Sequence, residues 1–530
     1  MSAASSAIPL PAPTASADAA RDRRRMFAFV CMVFGMFMAI LDIQVVSASL
    51  SQIQAGLSAS SDEIPWVQTS YLIAEVIMIP LSGFLSRLLS TRYMFAIAAG
   101  GFTLMSFMCA QATSIEGMIV WRALQGFIGG GMIPTVFASA FALFPGRKQA
   151  IVGPLIGLVA TLAPTIGPTV GGYLTDLMSW HWLFLINIVP GIFVTVSTWF
   201  LVDFDEPDWS LLDKIDWSGL ISMAAFLGGL EYVLEEGPSK DWFDSTAISA
   251  GAVVSAVGAI VFFWRAFTAK TPIVDLSAFK DRNFATGSLF SFVLGIGLYG
   301  LTYVYPVFLA GARGYSSLQI GETLFISGLC MFVTAPIVGR LSSAVDPRVL
   351  IAIGFASFAA GTYVASGITA DWDFDNLLIP QVLRGFGLMM AMVPISNVAL
   401  GTLPPQRLKN ASGLYNLTRN LGGAVGLALI NTIIDKREDL HLARLHEAVS
   451  WGHNAAEETL ANLTAAMAKF GSDASLAATK QLAAIVRQQA LVMSIADVFY
   501  VLTIVFLALV LIAPLMRRPV PRGAGGGGGH

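Results

Sequence analysis

An all-α membrane protein of about fourteen spanning helices, built as two six-helix bundles with two inserted helices, is the fold class that three observations predict. The 530-residue chain is 55% hydrophobic and only 12% charged, where an ordinary soluble domain carries about 25% charged residues. Apolar runs of about 20 residues recur along it, each long enough to cross a hydrocarbon core of roughly 30 Å. One segment also repeats: P-L-S-G-F-L-S-R-L-L-S-T-R-Y-M-F-A-I at 80–97 matches P-I-V-G-R-L-S-S-A-V-D-P-R-V-L-I-A-I at 336–353. Pro80, Gly83, Leu85, Ser86, Arg92, Ala96 and Ile97 return as Pro336, Gly339, Leu341, Ser342, Arg348, Ala352 and Ile353, all offset by 256. A second echo sets R-A-L-Q-G-F at 122–127 against Q-V-L-R-G-F at 381–386, with Arg and Gln exchanged. Two parallel halves are the arrangement of a rocker-type secondary transporter with its site at midplane.

The elements follow in order. Residues 1–20, rich in Ala, Ser and Pro, read as a disordered tail. The first span, 26–49, contains a single charge, Asp42. It is too long for a signal-peptide core and no small-residue cleavage site follows it, so it reads as retained. Spans two and three, 65–85 and 93–111, flank a loop with Arg87 and Arg92. Spans four to six fall at 117–143, 149–174 and 181–202. Spans seven and eight, 218–235 and 245–267, are left over once each half has six helices, and so read as an insertion. The second half supplies 284–310, 318–340, 348–368, 376–402, 411–435 and 491–516. The expected domains are a cytoplasmic tail 1–25, a bundle 26–203, the inserted pair with its linkers 204–283, a bundle 284–516 and a Gly-rich tail 517–530. The second bundle includes segment 436–490.

An even number of spans puts both termini on one side, and Lys and Arg choose it. Twenty of them fall in the loops and tails of one side and eight on the other, which predicts cytoplasmic termini and places 436–490 outside.

Charges inside spans are expensive and should face a cavity or a partner. Asp42 lies roughly 12 Å below the outer end of its helix and Arg122 roughly 8 Å below the outer end of span four, at about 1.5 Å per residue. A direct or water-bridged Asp42–Arg122 pair is therefore feasible. Glu75 falls near midplane in span two. Two readings stay open for Asp42 and Arg122: a static buried pair, or a proton-exchanging site. Burial favours the neutral carboxylic acid and a nearby guanidinium favours the carboxylate, so a helix movement that changes partners changes proton occupancy. For Glu75 the alternatives are a proton role or a substrate contact. The residue at the repeat offset from Asp42 is Leu298, which assigns proton work to the first half.

Ala163, Gly167 and Gly171 are spaced four apart in A-P-T-I-G-P-T-V-G-G at 163–172, a smooth stripe for close helix approach. Pro164 and Pro168 within it remove helical hydrogen bonds and predict a bend. Gln44, Tyr71, Asn187, Tyr299, Tyr303, Arg384, Asn397 and Asn416 are the candidates for substrate contact. His441, His446 and His453 lack a ligand cluster and are expected in solvent, while Glu231, Glu235 and Glu236 are expected at a wetted interface.

These residues resemble a known family. L-D-I-Q-V-V at 41–46, W-R-A-L-Q-G-F-I-G-G at 121–130, A-P-T-I-G-P-T-V-G-G at 163–172 and H-W-L-F-L-I-N-I-V-P at 181–190 resemble motifs of the fourteen-helix drug:proton antiporters of the major facilitator superfamily. P-I-V-D-L-S-A-F-K-D-R-N-F at 272–284, L-P-P-Q-R-L-K-N-A-S at 403–412 and the terminal G-A-G-G-G-G-G-H are similar to its EmrB branch. The resemblance implies the major facilitator fold and proton-driven efflux of hydrophobic drugs from an inner membrane. It also implies a periplasmic adaptor, an outer-membrane channel and resistance to antibiotics. Asp42 matches the first-helix motif; Arg122, Gln125 and Gly126 match the fourth; Ala163, Pro164, Gly167, Pro168, Gly171 and Gly172 match the antiporter motif. Gly83 and Arg92 match the loop after helix two, usually G-x-L-x-D-R-x-G-R-K. Here Arg87 stands at the aspartate and Ser90 at the second glycine, which leaves open how the two halves are locked.

Other classes find little support. No G-x-x-x-x-G-K-[ST] loop suggests ATP hydrolysis, and no C-x-x-C pair suggests metal or redox chemistry. No nucleophile–base set points to an enzyme, the net charge of −3 gives no sign of nucleic-acid binding, and no cofactor beyond the proton gradient is expected. The alternative reading is a proton-coupled transporter of one endogenous metabolite on the same fold. A receptor or scaffold has no use for a buried acid–guanidinium pair.

Overall fold

The structure, a computed structural model, describes residues 15–144, 148–449, 454–467 and 473–516. The outer tails, Arg147 and His453 lie outside them. Among the described residues thirteen helices are long and apolar enough to span a membrane, and one of these, Trp66–Ala110, is interrupted at Ser90 into two crossings. The fourteen are labelled α1 Ala15–Ser47, α2 66–89, α3 91–110, α4 Ile115–Leu143, α5 Gln149–Leu177, α6 Trp182–Leu201 and α7 Trp217–Glu236. The second set is α8 Thr246–Thr268, α9 Arg282–Gly311, α10 Ser317–Ala344, α11 Pro347–Ala365, α12 Phe374–Gly401, α13 Pro405–Ala448 and α14 Ala474–Ile512. No strand occurs among the described residues.

The turn between α2 and α3 is a single residue. Ser90 sits at φ 78° and ψ 161°, a region almost reserved for glycine, at a cost of about 1–3 kcal/mol for any side chain. Ser90→Gly is expected to raise stability by about 1 kcal/mol after glycine's extra chain entropy is subtracted. A higher melting midpoint in detergent checks this; a lower one contradicts it.

The repeat is visible in packing. A Cβ on Gly126 of α4 would lie 2.3 Å from the Tyr71 carbonyl oxygen of α2. A Cβ on Gly385 of α12 would lie 2.3 Å from that of Ser327 on α10. Tyr71 and Ser327 are themselves separated by the repeat offset of 256. Glycine at both positions lets paired backbones touch, which is how helices associate where lipid offers no hydrophobic drive.

The inserted helices form a hairpin. Asp216 caps α7 at Gly219 N–H, 3.0 Å away, and accepts from Arg265 of α8 at 2.8 Å. Helix α8 turns Val253, Val257, Ile260 and Phe267 outward, as a lipid-facing helix must. Helix α7 instead packs on α2, where the Trp66 and Tyr232 rings stack 5.6 Å apart and Thr69 donates to Glu236 at 3.0 Å.

Segment 436–490 is helical over most of its described residues. It holds no proline, and its two glycines are Gly452 and Gly471. Helix α13 therefore continues for 44 residues and α14 for 39, with a short helix Asn454–Ala466 between them. At about 1.5 Å per residue each is roughly twice as long as a hydrocarbon core of about 30 Å. His441, expected in solvent, is buried between them, its Nε2 2.7 Å from Asp497 Oδ2 of α14, which also accepts from Arg437 Nε at 2.6 Å. An acid on α14 needs these partners, and the unbroken continuation of α13 delivers them.

Candidate functional site

The charges of the first half meet in one sealed cluster. Helix α1 carries Asp42, 1% exposed, and α4 presents Arg122 and Gln125 one turn apart, both fully buried. Arg122 Nη1 donates to Asp42 Oδ2 at 2.6 Å and to Gln125 Oε1 at 2.8 Å. Asp42 Oδ1 accepts from Asn187 Nδ2 of α6 at 2.7 Å and from Gln125 Nε2 at 3.4 Å. Asn187 also donates to Ser106 of α3 at 3.1 Å. The guanidinium lies 4.2 Å from the centre of the Tyr71 ring, and its Nε donates to the Val67 carbonyl at 3.2 Å. Two helices, α4 and α6, thus supply the carboxylate of α1 with three donor groups, which offsets the several kcal/mol that burying an ion costs. Two polar atoms are left over: Arg122 Nη2 and the Tyr71 hydroxyl are buried without a hydrogen-bond partner.

The second half repeats the geometry without the acid. Arg384 Nη1 donates to Gln381 Oε1 at 3.4 Å and its Nη2 to Thr302 Oγ1 at 2.5 Å, beside the Tyr305 ring. Leu298, the counterpart of Asp42, is buried and apolar.

In front of the cluster lies a cavity of about 440 Å³ between the halves, with Ser47 of α1, Ala48 just beyond that helix and Ala310 of α9 in its wall. Gln44, Glu75, Tyr299 and Tyr303 line it, together with Asn420, Gln68 and Pro168. Tyr71, Asn187, Arg384, Asn397 and Asn416 are not among its lining residues. Tyr71 and Asn187 are engaged in the Asp42 cluster; Asn416 accepts from Arg419 at 2.5 Å, and Asn397 faces Gly153 across the halves. Glu231 and Glu235 of α7 do line the cavity, rather than lying at a wetted interface, and Glu236 is buried against Thr69 and Lys240. The signal was present in the sequence as two acids four residues apart. Span seven's docking against α2, which turns that face inward, was not.

The glycine stripe of α5 lies directly on α1. A Cβ on Gly167 would fall 2.3 Å from Gln44 Cβ, and one on Gly171 2.8 Å from the Val45 carbonyl oxygen. Ala163, Pro164 and Gly172 are buried. The helix stays continuous through Pro154, Pro164 and Pro168.

Beyond the cavity, toward the termini, the halves are in contact. The missing side chain of Gly83 admits the backbone of α13, with Lys409 O and Asn410 Cα each 2.8 Å from its ideal Cβ. Ser412 donates to the Pro134 carbonyl at 2.7 Å. Arg87, where the superfamily loop carries aspartate, bonds no acid of the other half among the described residues; the cross-half ion pair is made instead by Asp205, from the linker after α6, with a base of the other half. Its carboxylate accepts the Thr91 N–H exposed by the Ser90 turn, 3.1 Å from both oxygens, and forms an ion pair with Lys409 of α13. Lys409 also donates to the Ser86 carbonyl at 2.8 Å, and Arg92 braces the linker through Val202 O and Asp203. Asp205→Asn is expected to remove about 1 kcal/mol from this closure, a roughly fivefold population shift toward opening at that end. Accessibility of a cysteine at Ser412 to a charged thiol reagent checks it; unchanged labelling contradicts it.

The family model described as Major Facilitator Superfamily matches residues 32–427. The colistin resistance protein EmrB of Acinetobacter baumannii is 42% identical over 490 residues, covering 92% of this chain and 96% of that protein. The multidrug export protein EmrB of Escherichia coli is 29% identical over 508 residues, covering 94% of this chain and 97% of that protein. Among solved structures, the human organic anion transporter MFSD10 aligns with a TM-score of 0.56 at 12% identity, over 92% of this chain and 99% of that one, a likeness of fold alone.

Proposed function

Because the chain belongs to the Major Facilitator Superfamily, in its EmrB-like branch, we propose that it is a multidrug efflux transporter that exports hydrophobic and amphipathic compounds in exchange for protons. The observation that carries the reading is the Asp42–Arg122 cluster, sealed one layer behind an inter-half cavity and left with two unpaired polar atoms. A purely structural ion pair is normally satisfied throughout. Unspent hydrogen-bonding capacity in Arg122 and Tyr71 suits a cluster with a second arrangement, one for protonated Asp42. The halves 26–203 and 284–516 are the two moving bundles, and the contacts around Lys409 are the closed cytoplasmic gate. Glu75, on the cavity wall and without an ion pair among the described residues, is the group through which protons or substrate reach the cluster. Each proton entering gains about 2.3 kcal/mol per 100 mV, and at about 1.4 kcal/mol per tenfold that sustains a roughly forty-fold substrate gradient.

In this reading the protein sits in the inner membrane with cytoplasmic termini and needs no cofactor. The membrane-exceeding ends of α13 and α14 then project into the periplasm, where they offer a docking surface to an adaptor that continues to an outer-membrane channel. Deleting 450–472, which leaves the spanning helices whole, is expected to cut adaptor cross-linking severalfold while preserving insertion; equal cross-linking would refute the assignment. The function itself is tested in proteoliposomes loaded with a dye: an imposed inward proton gradient should drive dye extrusion, and extrusion indifferent to that gradient would sink it.

A further inference from the structure

We propose that the cavity receives an amphipathic cation and that Glu231, on the inserted helix α7, is the carboxylate facing its charged group; the proposal rests on the export reading above. Glu75, Glu231 and Glu235 all line the cavity, and among the described residues no Lys, Arg or His does so. Glu231 is 5% exposed, and its Oε2 is buried without a hydrogen-bond partner. The contrast with its neighbour is informative: Glu236 on the same helix is held by Thr69 at 3.0 Å and by Lys240 at 3.0 Å. This helix therefore supplies partners to an acid that serves packing, and none to the acid that faces the cavity. An intramembrane carboxylate without a protein partner is expensive, and a cation delivered by a ligand removes that cost. Glu235 follows one helical turn later on the same face and extends the negative wall. Tyr299 and Tyr303 provide ring faces for the rest of a cationic or aromatic guest. The cavity volume of about 440 Å³ is that of a drug-sized site. Charge recognition thereby falls to a helix outside the two repeated bundles, separate from Asp42.

The test uses two probes of equal size and opposite charge, tetraphenylphosphonium and tetraphenylborate, titrated calorimetrically into the purified full-length protein in detergent. The wild-type chain is expected to bind the phosphonium at least about tenfold more tightly than the borate. Glu231→Gln should weaken phosphonium binding by about tenfold, while Glu231→Asp, which keeps the charge, should retain most of it. Equal or tighter borate binding by the wild type overturns the proposal, as does unchanged phosphonium affinity in the glutamine variant. If that variant fails to fold, the wild-type preference between the two probes still decides. Binding in detergent needs no gradient, so loss of proton coupling would sink the antiport reading while leaving this result intact.

Discussion

Asp42→Asn is expected to abolish proton-driven export while the protein still inserts and still binds substrate. The substitution is nearly isosteric, and an amide oxygen can accept from Arg122 Nη1 where Asp42 Oδ2 now does, at 2.6 Å. Arg122 keeps Gln125, the Val67 carbonyl and the Tyr71 ring. Removing one member of a buried pair costs about 3–5 kcal/mol, and these retained contacts hold the loss near the lower end. What disappears entirely is a group at this position able to take up and release a proton. The substrate gradient sustained per proton, roughly forty-fold at 100 mV, should collapse to unity. Dye accumulation in inverted vesicles, paired with a melting curve, separates this from misfolding. A variant that folds and still pumps would exclude Asp42 from the coupling step.

Gly167→Val is expected to lower transport at least about tenfold, because misplacement of a working group by an ångström carries a penalty of that order or more. The position has no room: its ideal Cβ falls 2.3 Å from Gln44 Cβ, two residues from Asp42. Valine would push α1 off α5 and shift Asp42 against Arg122, with overpacking of about 1–3 kcal/mol. Gly401→Ala serves as the control, since nothing lies within 4 Å of its ideal Cβ. Transport by the Gly167 variant equal to that of the control would show that the stripe is packing without a role in movement.

How far the molecule was legible from its sequence depended on the range of the interactions concerned. The spans were legible because length and apolarity are local properties, and the helices fall where the apolar runs do. The Asp42–Arg122 pair was legible because depth along two helices needs only a rise per residue and a direction of insertion. The length of α13 was not: hydropathy stops at the membrane surface near residue 435, whereas the helix continues to Ala448 because nothing breaks it. His441 was misjudged for the same reason. Glu231 and Glu235 were placed at an interface from their position near the end of a span. Their exposure depends on how the inserted hairpin rotates onto α2, which is a tertiary matter. Asp205 was invisible because its partner, Lys409, lies 204 residues away and no motif links them. Ser90 stands between these cases, since a missing glycine in the loop pattern flagged the position but not its conformation.

Proton release on substrate binding tests the central claim most directly. Purified protein in weakly buffered detergent near neutral pH should release protons when a saturating substrate is added, and Asp42→Asn should bind the same substrate and release none. Equal release from both would contradict the account, because the titrating group would then lie elsewhere.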